Sequence, residues 1–250
     1  DNNNRRMELK VLLNGAAGRM GKAIRAVADE SGVAVPVVRE VGDPLPPGEP
    51  TFDVAIDFSS HEATPELAEY CARSGRALVI GTTGHSAGEA ERIRAAAAEI
   101  PMVWAGNYSV GVTLLIHLSR KVARLLGEEF QPEIFEAHHG LKKDAPSGTA
   151  ENLAEAVAGG RGWPPESIVR GRAGLTGERP GREIGVHAIR GGDIVGEHTV
   201  LFAGPAERLE LTHRAADRAI FARGALRAAD WVRGREPGIY RMEDVLGLAE

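Results

Sequence analysis

The chain has 250 residues, room for one large domain or two small ones. Its 30 basic residues against 35 acidic ones give a formal net charge of −5, which excludes the basic surplus of a nucleic-acid binder. A hydrophobic fraction of 43% excludes a disordered chain, the single Cys71 excludes an intramolecular disulfide, and no apolar run approaches the roughly 18 residues of a membrane helix, so neither nucleic acid nor membrane is an expected partner. Residues 1–6 are polar and patternless. They read as a disordered tail or a cloning remnant ahead of a native start at Met7, and they lack the apolar core of a secretory signal.

From Met7 to about Asn107, short β-branched apolar runs at 8–13, 33–38, 54–58, 77–80 and 102–104 read as strands buried on both faces. Helical stretches lie between them. Residues 21–29 put Ile24, Val27 and Ala28 on one face, 64–73 carries Pro65 just inside its start, and 86–99 opens with Ser86 and Glu89 in capping-box spacing. This alternation predicts a parallel sheet with right-handed crossovers. The pattern then changes. A long amphipathic helix at 112–126, a strand at 133–137 and a short helix at 149–158 precede an expected antiparallel region at 184–213, with Gly191-Gly192-Asp193 as a turn between strands. The Gly-, Pro- and Arg-rich stretch 170–182 reads as a mobile surface loop, and 217–232 as a final helix. The expected fold is α/β. A Rossmann-like parallel-sheet dinucleotide-binding domain (7–107 and 217–250) carries an inserted α+β domain (108–216) with a mostly antiparallel sheet, for substrate binding and oligomerisation.

The first strand runs into Asn14-Gly-Ala-Ala-Gly-Arg-Met-Gly21, with glycines at 15, 18 and 21. Gly15 suits a tight turn, Gly18 the approach of backbone N–H groups to a pyrophosphate, and Gly21 close packing, while the helix that follows offers its N-terminus to the phosphate. Glu40, 22 residues after Gly18, stands where a carboxylate would accept from an adenosine ribose and disfavour a 2′-phosphate, although the adjacent Arg39 could pair with one. NADH is thus expected at least to be accepted. Two further loops, Gly81-Thr82-Thr83-Gly84 and Ala105-Gly106-Asn107-Tyr108, follow strands at the edge where α/β sheets bind ligands.

The densest chemistry lies in Glu136-Ala-His-His-Gly-Leu-Lys-Lys-Asp-Ala-Pro-Ser-Gly-Thr149. It supplies an imidazole acid/base, a cation and, at Pro146-Ser147-Gly148-Thr149, a hydroxyl at a helix N-terminus that attracts anions. Such a site suits a small carboxylate whose unsaturated ring accepts hydride, since a nearby cation stabilises the developing charge and an acid quenches it. Only five of the basic residues are Lys, and Lys142 suits that task better than Arg because it can give up a proton. A metal held by the two histidines stays open as an alternative, with Glu136 as a possible third ligand.

In order along the chain, the glycine loop, Ile80-Gly-Thr-Thr-Gly84, Asn107-Tyr-Ser-Val-Gly111, the 136–149 block and Gly191-Gly-Asp-Ile-Val-Gly-Glu-His-Thr199 resemble the 4-hydroxy-tetrahydrodipicolinate (dihydrodipicolinate) reductase family. The resemblance implies an NADH- and/or NADPH-dependent oxidoreductase of the diaminopimelate route to lysine, cytoplasmic and homotetrameric through the sheet of its second domain, acting on a small dicarboxylate without a metal. It implies His138 as the acid/base residue and Lys142 as the proton donor, with His139, Ser147, Gly148 and Thr149 holding substrate carboxylate. Gly15, Ala16, Ala17, Gly18, Arg19, Met20, Glu40, Gly81, Thr82, Thr83, Ala105, Gly106, Asn107 and Tyr108 would line the cofactor site. The chain departs from the family pattern at Val41, where good users of NADPH often carry a basic residue, at Ser59-Ser60, where some members have an Arg, and at Tyr108, more usually Phe. The alternatives are another two-domain NAD(P) dehydrogenase, of aspartate or sugar type, and a non-catalytic dinucleotide sensor. A sugar-type enzyme would more often place its catalytic Lys where Gly106-Asn107 stands, and a sensor would need a partner domain.

Overall fold

The structure is a computed structural model that describes residues 8–248. The expected tail at 1–6 and the expected start at Met7 lie outside the described residues. In chain order the elements are β1 (Lys10–Asn14), α1 (Arg19–Ser31), β2 (Ala34–Arg39), β3 (Val54–Asp57), α2 (Thr64–Ser74), β4 (Ala77–Ile80), α3 (Ala87–Ala96), β5 (Pro101–Trp104), α4 (Val110–Leu125), β6 (Gln131–His138), α5 (Gly148–Arg161), β7 (Ile168–Arg170), β8 (Ile184–Arg190), β9 (Gly196–Gly204), β10 (Glu207–Ala215), α6 (Ala219–Val232), β11 (Gly238–Tyr240) and α7 (Met242–Val245). Over the described residues they form two compact units, 8–110 with 218–248, and 111–217.

The first unit is a parallel sheet in the order β11-β5-β4-β3-β1-β2. Side chains leave its strands on alternate faces. Val11, Leu13, Val54, Ile56 and Val79 meet Ile24 and Val27 of α1 and Ala225 and Ala229 of α6, while Leu12, Ala55, Leu78 and Ile80 meet Leu67 of α2 and Ile93 of α3. The capping box at α3 forms, with Ser86 Oγ accepting from Glu89 N–H and the Glu89 carboxylate accepting from Ser86 N–H. β2 departs from the expectation of burial on both faces. It is a half-exposed edge strand, its register with β1 slips between Lys10 and Leu12, and it contains Pro36, which has no N–H to give and is tolerated only at an edge or bulge. The opposite edge, β11, is three residues long and too short to leave a pattern. Strand order reverses between β1 and β3, which marks the crevice at their carboxyl ends.

The second unit is a mixed, mostly antiparallel sheet in the order β10-β9-β6-β8-β7. The expected antiparallel pairing over 184–213 holds for β9 with β10, but β8 runs parallel to β6 and β7. Gly191-Gly192-Asp193 therefore closes no hairpin, because β6 lies between β8 and β9. The segment crosses the end of β6 and bonds to it, Gly191 N–H donating to the His138 carbonyl at 3.0 Å and His139 N–H to that of Ile194 at 2.7 Å. Glycines between two strand-like runs read the same whether or not those runs pair. α5 covers one sheet face through Leu153, Ala154 and Val157 against Ile134, Val186, Val200 and Phe202. It extends beyond the expected 149–158, through Gly160, where a Cβ would lie 2.4 Å from the Arg120 carbonyl of α4, so glycine here permits helix contact instead of ending the helix. The 170–182 loop, expected to be mobile, is pinned. Arg172 and Arg179 each donate to Glu133 at 2.8 Å, and Arg172 also donates to Glu183. No helix among the described residues is long and apolar enough to cross a membrane.

Candidate active site

In the first unit, the residues expected to line a cofactor follow the carboxyl ends of β1, β2, β4 and β5. Gly15 has φ +82°, a left-handed conformation that favours glycine, and a Cβ there would lie 2.4 Å from the Phe58 carbonyl oxygen. A Cβ on Gly21 would sit 2.2 Å from the Gly15 carbonyl oxygen and 2.5 Å from Ala16 Cα. The third glycine thus seats α1 directly on the loop. Gly18 caps α1 without a side-chain bond and the first turn carries no acid, so the helix N-terminus presents backbone N–H groups and no competing carboxylate of its own. Ala17, Gly18 and Arg19 are exposed. Glu40 stands at their rim, its Oε1 accepting from Ala17 N–H at 2.5 Å. Arg39, considered as a phosphate partner, is buried instead and donates to the Asp43 carbonyl at 2.6 Å.

Not every expected residue presents its side chain. Tyr108 is buried, and its hydroxyl shares its proton between the Ile80 and Val103 carbonyls at 2.8 and 3.0 Å, bracing the ends of β4 and β5. Burial raises its phenol well above the usual value. Thr82 is also buried and points at Asp57, a residue the sequence reading passed over. Asp57 is fully buried at the end of β3. Its carboxylate accepts from Asn14 Nδ2 at 2.7 Å, Ser59 Oγ at 2.5 Å, Thr64 Oγ1 at 2.6 Å and Thr82 Oγ1 at 2.9 Å. One buried carboxylate therefore ties the end of β1, the loops after β3 and β4 and the start of α2. An acid ending an otherwise apolar strand was the available signal; its place beside Asn14 follows only from the pairing of β1 with β3.

In the second unit, β6 delivers His138 and His139 and α5 begins eleven residues after Ala137, at Gly148. Ser147 caps α5, its Oγ accepting from Ala150 N–H at 3.2 Å and lying 3.1 Å from His198 Nε2. Lys142 is paired with Asp144 at 2.9 Å and remains part-exposed, and that pairing holds the Asp144 carboxyl below its usual range. Glu136, fully buried, receives a two-pronged contact from Arg190, with both N···O distances 2.8 Å, a bond from Ser147 N–H at 3.0 Å, and His138 Nδ1 at 2.6 Å. Burial would raise this carboxyl, but the bonds from Arg190, His138 and Ser147 outweigh it and hold it low. With its oxygens so occupied, Glu136 has little left to offer a metal. Burial, with His138 adjacent, lowers His198 to about 4. Arg190 and His198 were not singled out from the sequence, and Glu136 was considered only as a third ligand for a metal. Glu136 and His198 meet only through strand register.

A doubly wound parallel sheet with a glycine loop, carried with a unit bearing imidazole, ammonium and a capped helix N-terminus, defines a nicotinamide-dependent oxidoreductase. Residues 9–108 match the family described as "Dihydrodipicolinate reductase, N-terminus", and residues 111–246 match "Dihydrodipicolinate reductase, C-terminus". A 4-hydroxy-tetrahydrodipicolinate reductase of Akkermansia muciniphila is 51% identical over 97% of this chain and 99% of its own, and one from an Anaeromyxobacter species is 47% identical over 96% and 98%. Among solved structures, a dipicolinate-bound dihydrodipicolinate reductase from a Paenisporosarcina species superposes with a TM-score of 0.74 at 22% identity, covering 94% of this chain and 98% of that one. GenD2 from gentamicin A biosynthesis, in complex with NAD, gives 0.57 at 14% identity over 96% and 91%. At those identities, the two structures speak for the fold alone. The chain belongs to the dihydrodipicolinate reductase family.

Proposed function

We propose that the chain reduces 4-hydroxy-tetrahydrodipicolinate to tetrahydrodipicolinate with loss of water, using NADH or NADPH, in the diaminopimelate route to lysine. The 136–149 segment carries this reading, because one strand end and one helix start bring imidazole, ammonium and anion-attracting N–H groups into a single stretch of the second unit.

The glycine loop fits a dinucleotide. It leaves no room for side chains at Gly15 and Gly21 and presents the α1 N-terminus with no side-chain cap bond, with Glu40 beside it for a ribose. When bound, the reduced nicotinamide supplies hydride to the substrate ring. Gly15 to Met20 would hold the pyrophosphate, and Gly81 to Thr83 and Ala105 to Asn107 would line the remainder of the crevice, with Tyr108 and Thr82 serving from behind. The α5 N-terminus, with Ser147, Gly148, Thr149 and His139, would bind the substrate carboxylates. Lys142 would offset the charge developing on the ring and give the proton, and His138 would act as the acid/base group. A cytoplasmic homotetramer completes the proposal. Phe135 and Ile189 are 39% and 54% exposed on the sheet face opposite α5, and that face supports assembly through the second unit's sheet.

The test is NADH oxidation with substrate freshly made from pyruvate and aspartate semialdehyde. Lys142→Ala and His138→Gln should each lower kcat by a factor on the order of 10²–10⁴ with little change in NADH affinity. Near-normal turnover in both, or no oxidation by the unaltered chain, would overturn the assignment.

A further inference from the structure

The geometry points to Glu136, braced by Arg190, as the positioning residue of this site: it fixes the tautomer and ring direction of His138 and, with the same carboxylate, sets the anion-attracting start of α5. The inference rests on the proposed acid/base role of His138.

Three of the four contacts on the Glu136 oxygens come from donors of fixed direction. Arg190 NH1 and NH2 donate to Oε2 and Oε1, and Ser147 N–H donates to Oε1. The fourth contact, His138 Nδ1 on Oε2 at 2.6 Å, has no fixed direction until the chemistry is considered. An ionised carboxylate only accepts, so Nδ1 must carry the hydrogen. The neutral imidazole then has its lone pair on Nε2, and the Nε2 end is the one that can take or give a proton. That end lies over Gly196, where a Cβ would be 3.0 Å from Nε2, closer than side chains comfortably pack. Glycine at 196 thus leaves the reactive nitrogen uncovered. The His138 side chain is 12% exposed, largely enclosed but still open to solvent.

The arrangement has a second consequence. His138 ends β6 and Ser147 caps α5, with an eight-residue excursion in between that includes Lys142. The link from Oε1 to Ser147 N–H and from Oε2 to His138 closes this excursion at its base. The acid/base nitrogen and the carboxylate cradle are registered to each other through one buried group. Glutamine at 136 cannot reproduce this. Its amide NH2 must face either Arg190 with Ser147, both donors, or Arg190 with His138, where only a switch of the His138 tautomer supplies an acceptor.

The experiment uses the intact chain with ¹⁵N-labelled histidine. In the unaltered protein, His138 should give the spectrum of a single Nδ1–H tautomer when neutral. Glu136→Gln should convert that signal to the Nε2–H form or a mixture, lower kcat by roughly 10²-fold, raise KM several-fold through the Ser147 arm, and leave the NADH Kd unchanged. His138→Gln should mask most of the kcat loss, so that the double variant is little slower than His138→Gln alone. Glu136→Asp, which keeps the charge but is one methylene shorter, should fall in between and covers the case in which Glu136→Gln fails to fold. An unchanged His138 spectrum in a folded variant, a kcat within threefold of normal, or kcat losses that multiply with that of His138→Gln would overturn the inference. If His138→Gln itself keeps normal turnover, the acid/base reading falls, while the nitrogen spectra still decide whether Glu136 holds the ring.

Discussion

Replacing Asp57 by asparagine probes how the cofactor-side loops are held. The carboxylate accepts four bonds in a fully buried position, all from neutral donors. A hydrogen bond to a charged group contributes about 1.5–3 kcal/mol and a neutral one about 0.5–1.5, so discharging the acceptor costs roughly 1 kcal/mol per bond before any geometry changes. The new amide nitrogen cannot face Asn14 Nδ2, which is itself a donor. It must turn toward Thr64 and Thr82, whose hydroxyls rotate to accept. The expected loss is then about 2–4 kcal/mol, and Asp57→Ala, which strands its donors, should cost about 3–5. Because the brace joins the end of β1 to the loops after β3 and β4, NADH affinity should fall in parallel by tenfold or more. Urea unfolding followed by circular dichroism gives the stability and NADH fluorescence titration the Kd, with hydrogen exchange localising the loss to the first unit. A change below about 0.5 kcal/mol together with an unaltered Kd would refute the role given to this carboxylate.

Gly21→Ala should destabilise by about 1–3 kcal/mol and weaken NADH binding, because the added Cβ meets the backbone of Gly15 and Ala16 and no flexible side chain can yield; thermal melts with and without NADH check both effects. His198, lowered to about 4 in the folded chain against about 6.5 unfolded, favours folding while neutral. That contribution is complete above about pH 6.5 and is lost as pH falls toward 4, at up to about 1.4 kcal/mol per pH unit. His198→Asn should flatten the acid limb of the stability curve over this window. Glu133, brought to about 2 because its bonds from Arg172, Arg179 and His187 outweigh burial, favours folding above the usual carboxyl range and loses that contribution between about pH 4.5 and 2; Glu133→Gln should remove this lower step. NADH should bind more tightly than NADPH, and Glu40→Ala should narrow the gap, as measured by the ratio of their Kd values.

What could be read from the sequence was local. Strands β1 to β5, the capping box at Ser86 and the glycine loop each announce themselves within a dozen residues, through periodicity, cap chemistry and turn geometry. The histidines, Lys142 and Ser147 were legible for the same reason, lying close together in the chain. What stayed hidden depends on which strands become neighbours. Asn14 reaches Asp57 only because β1 pairs with β3, and Glu136 lies opposite His198 only because β6 pairs with β9. Pairing of β8 with β6 was misread because the sequence between β8 and β9 resembles a turn. Tyr108 was expected at the cofactor, but the carbonyls its hydroxyl reaches belong to two different strands, and nothing in its immediate neighbourhood declares them.

The place of α6 bears on how the chain is made. Ala222, Ala225, Leu226, Ala228, Ala229 and Val232 belong to the same buried cluster as Val11, Leu13 and Ile56. A Cβ on Gly224 of α6 would lie 1.7 Å from the Tyr108 carbonyl oxygen, so the helix and the loop after β5 are fitted backbone to side. On the ribosome, the middle segment 111–217 emerges whole and has its own core to close. The N-terminal sheet, although synthesised first and partly covered on this side by α1, keeps the rest of that apolar face open until α6 arrives. For that interval it is the part of the nascent protein most in need of a chaperone.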